Sequence, residues 1–514
     1  YTSLEDRYPM YQGGFIWDYV DQALMKADED GVLHMAYGGD FDDRPTDYNF
    51  CGNGIVYADR TISPKAQEVK YLYQDLKLIP DACGVEIENR RLFTDTSDLE
   101  FIWLALRNGE PVHTERFCAR VNPGEREYVS VPAPAFTEPG EYVYQVSAVK
   151  KKTELWADAG YETAFGESCR VIGTGGAGAV GADAVGANAV GADAVGAGAV
   201  GAGADCVGET CVGKNFVEEY RTDNARLPFT VIHGDVNIGV KGNGFHIIFS
   251  KQEGGIVSLV YDGREWIGKI PMPVYWRATT DNDRGNKFSV SSAAWYGAGS
   301  FPLYDSKTCV VEEGEDSVRV AYTYRLPTVP ETETEVVYEV DREGRIKTTA
   351  HYFGREGLPE LPLFGMRFRI SGTGGDFEWY GRGPEENYRD RNAGARLGIF
   401  KDTAADSVSR YLVPQECGNR TGIRWMKVTD GAGHSIRFTA QGRPFEGSVL
   451  PYTAEELEHA THVEELPQPR YTVVTILAAM RGVGGDDSWG APVYPEYCVS
   501  GEHDITFSFV IGRD

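Results

Sequence analysis

Short runs of alternating apolar and polar residues occur along most of this chain and restrict it to a mainly β fold. A period of two is the pattern of a strand with one buried face. Runs of this kind, separated by Pro and Gly turns, predict a small β-sandwich over residues 73–172 and a large one over 228–514. The strands predicted most clearly are 85–88, 101–106, 143–147, 245–249, 318–322, 335–340 and 471–477.

Residues 1–72 follow a different pattern. Residues 13–21 predict a short strand that is apolar on both faces and polar at its C-terminal end. This profile is typical of an inner strand of a parallel (β/α)8 barrel, where the C-terminal ends of the strands carry the chemistry. The Gly-, Asp- and Asn-rich stretch 38–54 is too irregular for a helix or strand, and 64–73 predicts a helix. We therefore expect 1–72 to be the end of such a barrel.

Residues 173–213 form a low-complexity segment in which valine recurs every five residues in a Gly–Ala background, at Val180, Val185, Val190, Val195 and Val200. Gly and Ala bury too little area to offset the entropy of ordering, so we interpret 173–227 as a flexible linker. A short β-solenoid is the alternative, although stacked repeats need a continuous core that these small side chains do not supply.

Composition narrows the function classes. The 514 residues exceed what one hydrophobic core holds, which predicts two to four domains. A net charge of −27 repels polyphosphates and anionic membranes, so we expect no nucleic-acid partner. No apolar run reaches the roughly 18 residues of a membrane span, and we expect no membrane partner. Nine scattered cysteines without zinc-site spacing suggest unpaired thiols and a reducing, cytoplasmic location.

Three segments contain residues that suit carbohydrate binding. Trp17 lies where the predicted barrel strand meets its loop, and an indole there is either a platform for a pyranose ring or a core residue. Asp18 and Asp21 beside it suit orienting or structural roles. Loop 38–54 is dense in the oxygen ligands that a hard cation prefers, but a solvated turn would have the same composition. Loop 482–490 presents Trp489 among glycines and acids, or packs it in a turn.

Five motifs occur in order along the chain: QGGFIWDYVDQ (12–22), YGGDF (37–41) followed by NFCGNG (49–54), RATTDND (277–283), YGRGPEENY (380–388) and GGDDSW (484–489). They resemble motifs of the large bacterial β-galactosidases of glycoside hydrolase family 2. The last three are typical of the family's large C-terminal domain, a galactose-mutarotase-like supersandwich that β-glucuronidases lack. The resemblance implies the end of a TIM (β/α)8 barrel, an immunoglobulin-like β-sandwich and that large sandwich, with the 173–213 repeat outside the family pattern.

The resemblance also implies roles for matched residues. Trp17 would line the galactose subsite, and Trp489 would be the platform for the aglycone. The carbonyl of Phe50 and the side chain of Asn53 would help to bind a sodium ion that contacts the sugar. Asp47 matches the substrate-binding acid of the same loop. Asp42 and Thr46 stand where the family usually has Gly and Asn.

In this family a Glu nucleophile and a Glu acid/base carry out retaining hydrolysis of β-galactosides such as lactose, and a magnesium ion supports the acid/base residue. All of these groups would precede Tyr1, so the resemblance implies no catalytic residue in this chain and no activity of the chain alone. It also implies a homo-oligomer in the full-length enzyme.

Two other functions remain open from the sequence. One is a non-catalytic carbohydrate-binding or assembly subunit that partners a separate catalytic chain. The other, a structural β-sandwich adhesin, accounts for the last domain but not for the barrel strand.

Overall fold

The computed structural model describes residues 1–173, 229–373, 375–487 and 489–514. The linker prediction for 173–227 and its solenoid alternative therefore fall outside the described residues, apart from Gly173. The chain forms two compact units, and both are assembled from separate stretches of sequence. Among the described residues, the smaller unit consists of 1–17, 65–173 and 393–399, and the larger unit consists of 18–64, 229–373, 375–392, 400–487 and 489–514.

The strand predicted for 13–21 is wrong. This part of the chain has a short helix, α1 (Ser3–Arg7), and an antiparallel hairpin of β1 (Leu24–Ala27) with β2 (Leu33–Ala36), but 13–21 form no ladder. Within this range, Val20 makes an isolated parallel bridge to Val56. A barrel strand needs a hydrogen-bonded neighbour on each side, and the described residues place no strand beside 13–21.

The helix predicted for 64–73 is confirmed as α2 (Lys65–Leu72), and the small β-sandwich is confirmed after it. Its two antiparallel sheets have the orders β3-β4-β7 and β6-β5-β8-β9. Trp103 is fully buried between them, and its indole N–H donates to the carbonyls of Asp81 and Gly84 at 3.2 Å each. The strands are β3 (Leu76–Pro80), β4 (Gly84–Asn89), β5 (Leu99–Arg107), β6 (Glu110–Phe117), β7 (Arg126–Ser130), β8 (Gly140–Lys150) and β9 (Glu162–Ile172).

A distant segment, 393–399, belongs to the smaller unit and contains the first residues of the strand Arg396–Thr403, whose other residues belong to the larger unit. The N–H of Leu397 donates to Glu167 at 2.8 Å, and Arg396 pairs with Glu162 at 2.5 Å. Lys70 also pairs with Glu162, at 2.9 Å. Although burial raises the pKa of Glu162, the hydrogen bond and charge of Arg396 outweigh it and hold this pKa down at about 2. The segment is therefore fixed by charge-assisted hydrogen bonds.

The larger unit is an antiparallel β-sandwich, as predicted. Its sheets have the orders β10-β11-β12-β13-β14, β15-β21-β28-β27-β24 and β16-β18-β19-β20-β29-β26-β25-β22-β23, with β17 added beside β18. The strands are β10 (Phe229–His233), β11 (Asn237–Gly242), β12 (Phe245–Ser250), β13 (Gly255–Tyr261), β14 (Arg264–Glu265), β15 (Ile267–Val274), β16 (Leu303–Tyr304), β17 (Val310–Glu313), β18 (Ser317–Leu326), β19 (Thr332–Asp341), β20 (Ile346–Tyr352), β21 (Leu363–Ser371), β22 (Asp376–Gly383), β23 (Arg396–Thr403), β24 (Arg420–Ile423), β25 (Trp425–Thr429), β26 (Ser435–Gln441), β27 (Phe445–Leu450), β28 (Tyr471–Met480) and β29 (Ile505–Arg513).

Aromatic side chains join the five-stranded sheet that contains β21 to the ten-stranded sheet that contains β29. Phe364 and Phe368 of β21 lie 5.8 and 6.0 Å, between ring centroids, from Phe507 and Phe509 of β29. All four belong to one buried cluster, which is what face-to-face sheet packing requires. Four short helices interrupt the strands: α3 (Asp281–Gly285), α4 (Phe288–Ser291), α5 (Ala293–Ser300) and α6 (Ala454–His459). None of the helices in the described ranges is long and apolar enough to cross a membrane.

Candidate functional site

Loop 38–54 is held in a defined shape by its own backbone. Residues Tyr48–Cys51 form a 3-10 turn inside the stretch predicted to be irregular. The N–H of Asp18 donates to the carbonyl of Asn53 at 3.0 Å, and buried Asp21 accepts the N–H of Gly54 at 2.6 Å. A Cβ on Gly54 would lie 2.1 Å from the Asp21 nitrogen, so this position requires glycine. Asp21 therefore has the structural role.

The same loop is fixed to the large sandwich. The side-chain amide of Asn49 donates to Asp281 at 2.8 Å, and Gln415 donates to the other oxygen of that carboxylate at 3.0 Å. Ala23, Tyr37 and Leu412 form a small buried apolar cluster beneath the loop. The loop is thus held by both polar and apolar contacts with the large sandwich.

The predicted loop residues are accessible. The side chains of Asp47 and Phe50 are exposed and that of Asn53 is half-buried. Among the described residues the amide of Asn53 has no hydrogen-bond partner. A backbone carbonyl at Phe50 and a free amide oxygen at Asn53 are hard oxygen donors, which fit a sodium ion chemically. The described residues contain no group of three or more His, Cys, Asp or Glu side chains arranged for a metal ion.

A second loop, 482–487 with 489–491, presents Trp489; we call it the Trp489 loop. The carboxylate of Asp487 accepts the N–H groups of Trp489, Gly490 and Ala491 at 2.9, 3.1 and 3.0 Å. These backbone hydrogen bonds, that of Ala491 first, lower the pKa of Asp487. Asp487 is thus a turn-forming acid. The Trp489 side chain is 56% exposed, and its ring centroid lies 5.9 Å from that of Phe50.

Two further groups anchor the Trp489 loop. Asp390 accepts the N–H groups of Val483 and Gly484 at 2.8 Å each. The side-chain amide of Asn282 donates to the carbonyl of Asp487 at 3.0 Å. Helix α3 also meets this loop through its backbone, since a Cβ on Gly285 would lie 1.9 Å from the carbonyl oxygen of Trp489.

Helix α3 therefore supports both loops, and the RATTDND motif builds it. Thr280 and Asp283 form a capping box at its N-terminus. Asp283 is buried and pairs with Arg277 at 2.9 Å and with Arg481 at 3.1 Å. In the sequence, the RATTDND motif indicates the family resemblance but assigns no role to these residues. Its Thr-x-x-Asp spacing is the signal that could have predicted the helix.

Trp17 belongs to the smaller unit, where its side chain is 69% exposed. The core-residue interpretation of Trp17 is therefore wrong for this chain. Its indole is accessible to a ligand, as a platform requires, and its role at a galactose subsite stays a prediction.

In the acidic pair Glu385–Glu386, the carboxylate of Glu386 has a structural role. Glu386 is buried and accepts hydrogen bonds from Ser409 at 2.8 Å and from the N–H of Gly418 at 2.6 Å. It also pairs with Arg391 at 2.5 Å. Burial raises the pKa of nearby Glu416 to about 7, although the charge of Arg277 opposes this.

Family comparisons cover most of the chain. Residues 241–511 match the model described as β-galactosidase small chain, 1–78 match the family 2 glycosyl hydrolase TIM barrel domain, and 85–169 match β-galactosidase domain 4. Three matches in this order define a glycosyl hydrolase-type architecture. The chain belongs to the β-galactosidases of glycosyl hydrolase family 2.

Individual relatives agree. A β-galactosidase of Halalkalibacterium halodurans is 43% identical over 100% of this chain and 46% of its own length. One of Streptococcus thermophilus is 37% identical over 99% of this chain and 45% of its own. The chain thus spans about half the length of these relatives. The β-galactosidase small subunit of Latilactobacillus sakei is 40% identical over 56% of this chain and 99% of its own length.

Among solved structures, a putative aldose 1-epimerase of Escherichia coli K12 covers 56% of this chain and 99% of its own, with 9% identity and a TM-score of 0.32. This likeness is too weak to carry an argument.

Proposed function

We propose that this chain is the C-terminal portion of a retaining β-galactosidase that hydrolyses terminal β-D-galactosides such as lactose. In this proposal the chain contributes binding walls to the substrate site, while the catalytic Glu pair and the magnesium ion belong to the rest of the enzyme. The observation that carries it is the juxtaposition of Phe50 and Trp489, which come from opposite ends of the chain and meet above α3.

Each wall has a distinct task. The exposed indole of Trp489 stacks against the C–H face of an aglycone sugar, and that of Trp17 lines the galactose ring. The exposed carboxylate of Asp47 accepts a hydrogen bond from a sugar hydroxyl. The Phe50 carbonyl and the Asn53 amide would hold a sodium ion. When bound, that ion supplies positive charge to a hydroxyl oxygen of galactose. The enzyme is expected to be a homo-oligomer.

The small-subunit relative favours a second candidate function. Because 56% of this chain matches 99% of that subunit, the chain could serve as a non-catalytic, carbohydrate-binding partner of a separate catalytic chain. The match of 1–78 to the barrel domain favours the first function, since a detached subunit does not need a barrel segment.

Replacing Trp489 tests the proposed platform. In the complete enzyme, Trp489→Ala should lower kcat/KM for galactosides with a sugar aglycone about fivefold to thirtyfold, because stacking on an aromatic face contributes roughly 1–2 kcal/mol. Aglycones too small to reach the indole should show less change. Trp156→Ala removes a Trp of similar exposure, 63%, from the small sandwich and is the matched control. Identical losses across all aglycones would contradict the role.

Replacing Asn53 tests the sodium site. We expect the wild-type enzyme to gain activity with added sodium chloride relative to potassium chloride, and Asn53→Ala to need several-fold more sodium, because one oxygen ligand is lost. Asn243→Ala, an exposed Asn in the turn between β11 and β12, is the control. A wild-type enzyme indifferent to sodium would refute the site.

A further inference from the structure

Two adjacent residues of helix α3 hold two different walls of the candidate site. Asp281 accepts the Asn49 amide at 2.8 Å, next to Phe50 in the 3-10 turn. Asn282 donates to the Asp487 carbonyl at 3.0 Å, at the base of the Trp489 loop. Consecutive helical residues point about 100° apart, so one short helix presents these two side chains to different loops.

The helix is a rigid support. Its first turn is closed by the Thr280–Asp283 capping box, and Asp283 is buried between Arg277 and Arg481. The backbone of Asp281 is fixed as well, because its N–H donates to Gln415 at 3.1 Å. A loop that is hydrogen-bonded to this helix is therefore held in a fixed position.

The two contacts are separable. Both oxygens of Asp281 are used on its own side, one by Asn49 and the other by Gln415. Asn282 has its amide N–H on the Asp487 carbonyl, while its side-chain oxygen is buried without a partner among the described residues. Changing one residue thus removes the contact with one loop and leaves the contact with the other loop intact.

We propose that Asp281 and Asn282 are positioning residues that act separately: Asp281 sets the cation-binding loop through Asn49, and Asn282 sets the aglycone platform through Asp487. The inference deepens the proposed function and rests on it for the meaning of the two walls. In this proposal, Asn282 influences the aglycone preference of the enzyme and Asp281 influences its sodium requirement, each through a loop and without binding the ligand itself.

Hydrogen exchange in the purified chain 1–514 tests the geometry without any activity. Asn282→Asp keeps the volume and removes the donor, so the N–H groups of Trp489, Gly490 and Ala491 should exchange roughly threefold to tenfold faster, as loss of one net hydrogen bond gives. Those of Phe50 and Gly52 should not change. Asp281→Asn should produce the reverse pattern, so each variant is the control for the other.

Asn282→Ala and Asp281→Ala serve as second variants, because a buried new carboxylate or amide could prevent folding. Faster amide exchange confined to the loop whose contact has been removed supports the proposal. Equal acceleration in both loops, no acceleration in either, or loss of the folded chain in both variants of one residue would overturn it.

The kinetic test uses the complete enzyme. Asn282→Ala should change the ratio of kcat/KM values between sugar and small aglycones by about threefold to tenfold and leave the sodium requirement unaltered. Asp281→Ala should raise the sodium requirement and leave that ratio unaltered. If both residues had only a structural role, either variant would lower kcat/KM for every aglycone and raise the sodium requirement at the same time. That result would refute the proposal. If the assembled enzyme does not hydrolyse galactosides, the proposed function is wrong. The hydrogen-exchange experiment still tests the positioning roles of Asp281 and Asn282, because it does not depend on activity.

Discussion

Purified residues 1–514 are expected to show no turnover of an activated aryl β-galactoside above the buffer rate. Retaining hydrolysis needs two free carboxyl groups about 5–5.5 Å apart, one as nucleophile and one as acid. Two acids beside the candidate site are committed elsewhere: Asp487 to three backbone N–H groups, and Asp281 to Asn49 and Gln415. Exposed Asp47 cannot supply both groups. Loss of such a pair removes on the order of 10⁶-fold in rate.

Mixing the chain with the N-terminal portion of a close relative, supplied as a separate polypeptide, should restore measurable turnover if the walls belong to that active site. The N-terminal portion alone and a heat-denatured sample of residues 1–514 are the controls. Clear activity of the single chain that disappears in Asp47→Asn or Asp487→Asn would show that the active site lies within this chain.

The second large effect is on stability. Asp283→Ala should lower the free energy of unfolding of the large sandwich by about 3–5 kcal/mol, because it leaves the fully buried Arg277 guanidinium without its carboxylate. It also removes the capping box of α3, so both loops lose their support. Urea unfolding followed by circular dichroism measures the change.

The control for this variant is Asp262→Ala, which breaks a pair with Arg513 in which the Asp side chain is 58% exposed. Such a surface pair contributes about 0–1 kcal/mol. If Asp262→Ala and Asp283→Ala lower the free energy of unfolding by similar amounts, the buried pair contributes no more to stability than the exposed pair.

Strands with one buried face could be predicted from sequence because burial leaves a direct mark on residue type. The run 245–249 lies in β12 (Phe245–Ser250), where buried and partly buried residues alternate, and the helix expected at 64–73 is α2. The strand expected at 13–21 is not formed. Apolar residues such as Phe15 and Trp17 indicate a face that can be covered, but they do not show that covering strands are present.

The site itself was only partly predictable. Family motifs predict roles for Phe50, Asn53 and Trp489, and the structure brings the rings of Phe50 and Trp489 together, but helix α3 beneath them was not predicted. Helix α3 has five residues, too few for periodicity to show. The contacts of Asn49 with Asp281 and of Asp390 with Val483 join residues far apart in sequence, and a single sequence carries no sign of such pairs.

The exchange of segments between the two units has a consequence for biosynthesis. Residues 65–173 leave the ribosome well before 393–399, whose Leu397 N–H completes the hydrogen bonding of Glu167. Residues 18–64, in turn, wait for Asp281 and Gln415 before loop 38–54 gains its support. Neither unit can make these contacts until residues far downstream of its first segments have been translated. The contacts that complete the two units therefore wait for neighbouring stretches of the chain, 393–399 for the smaller unit and Gln415 for the larger one, and form late relative to the local strands of each unit.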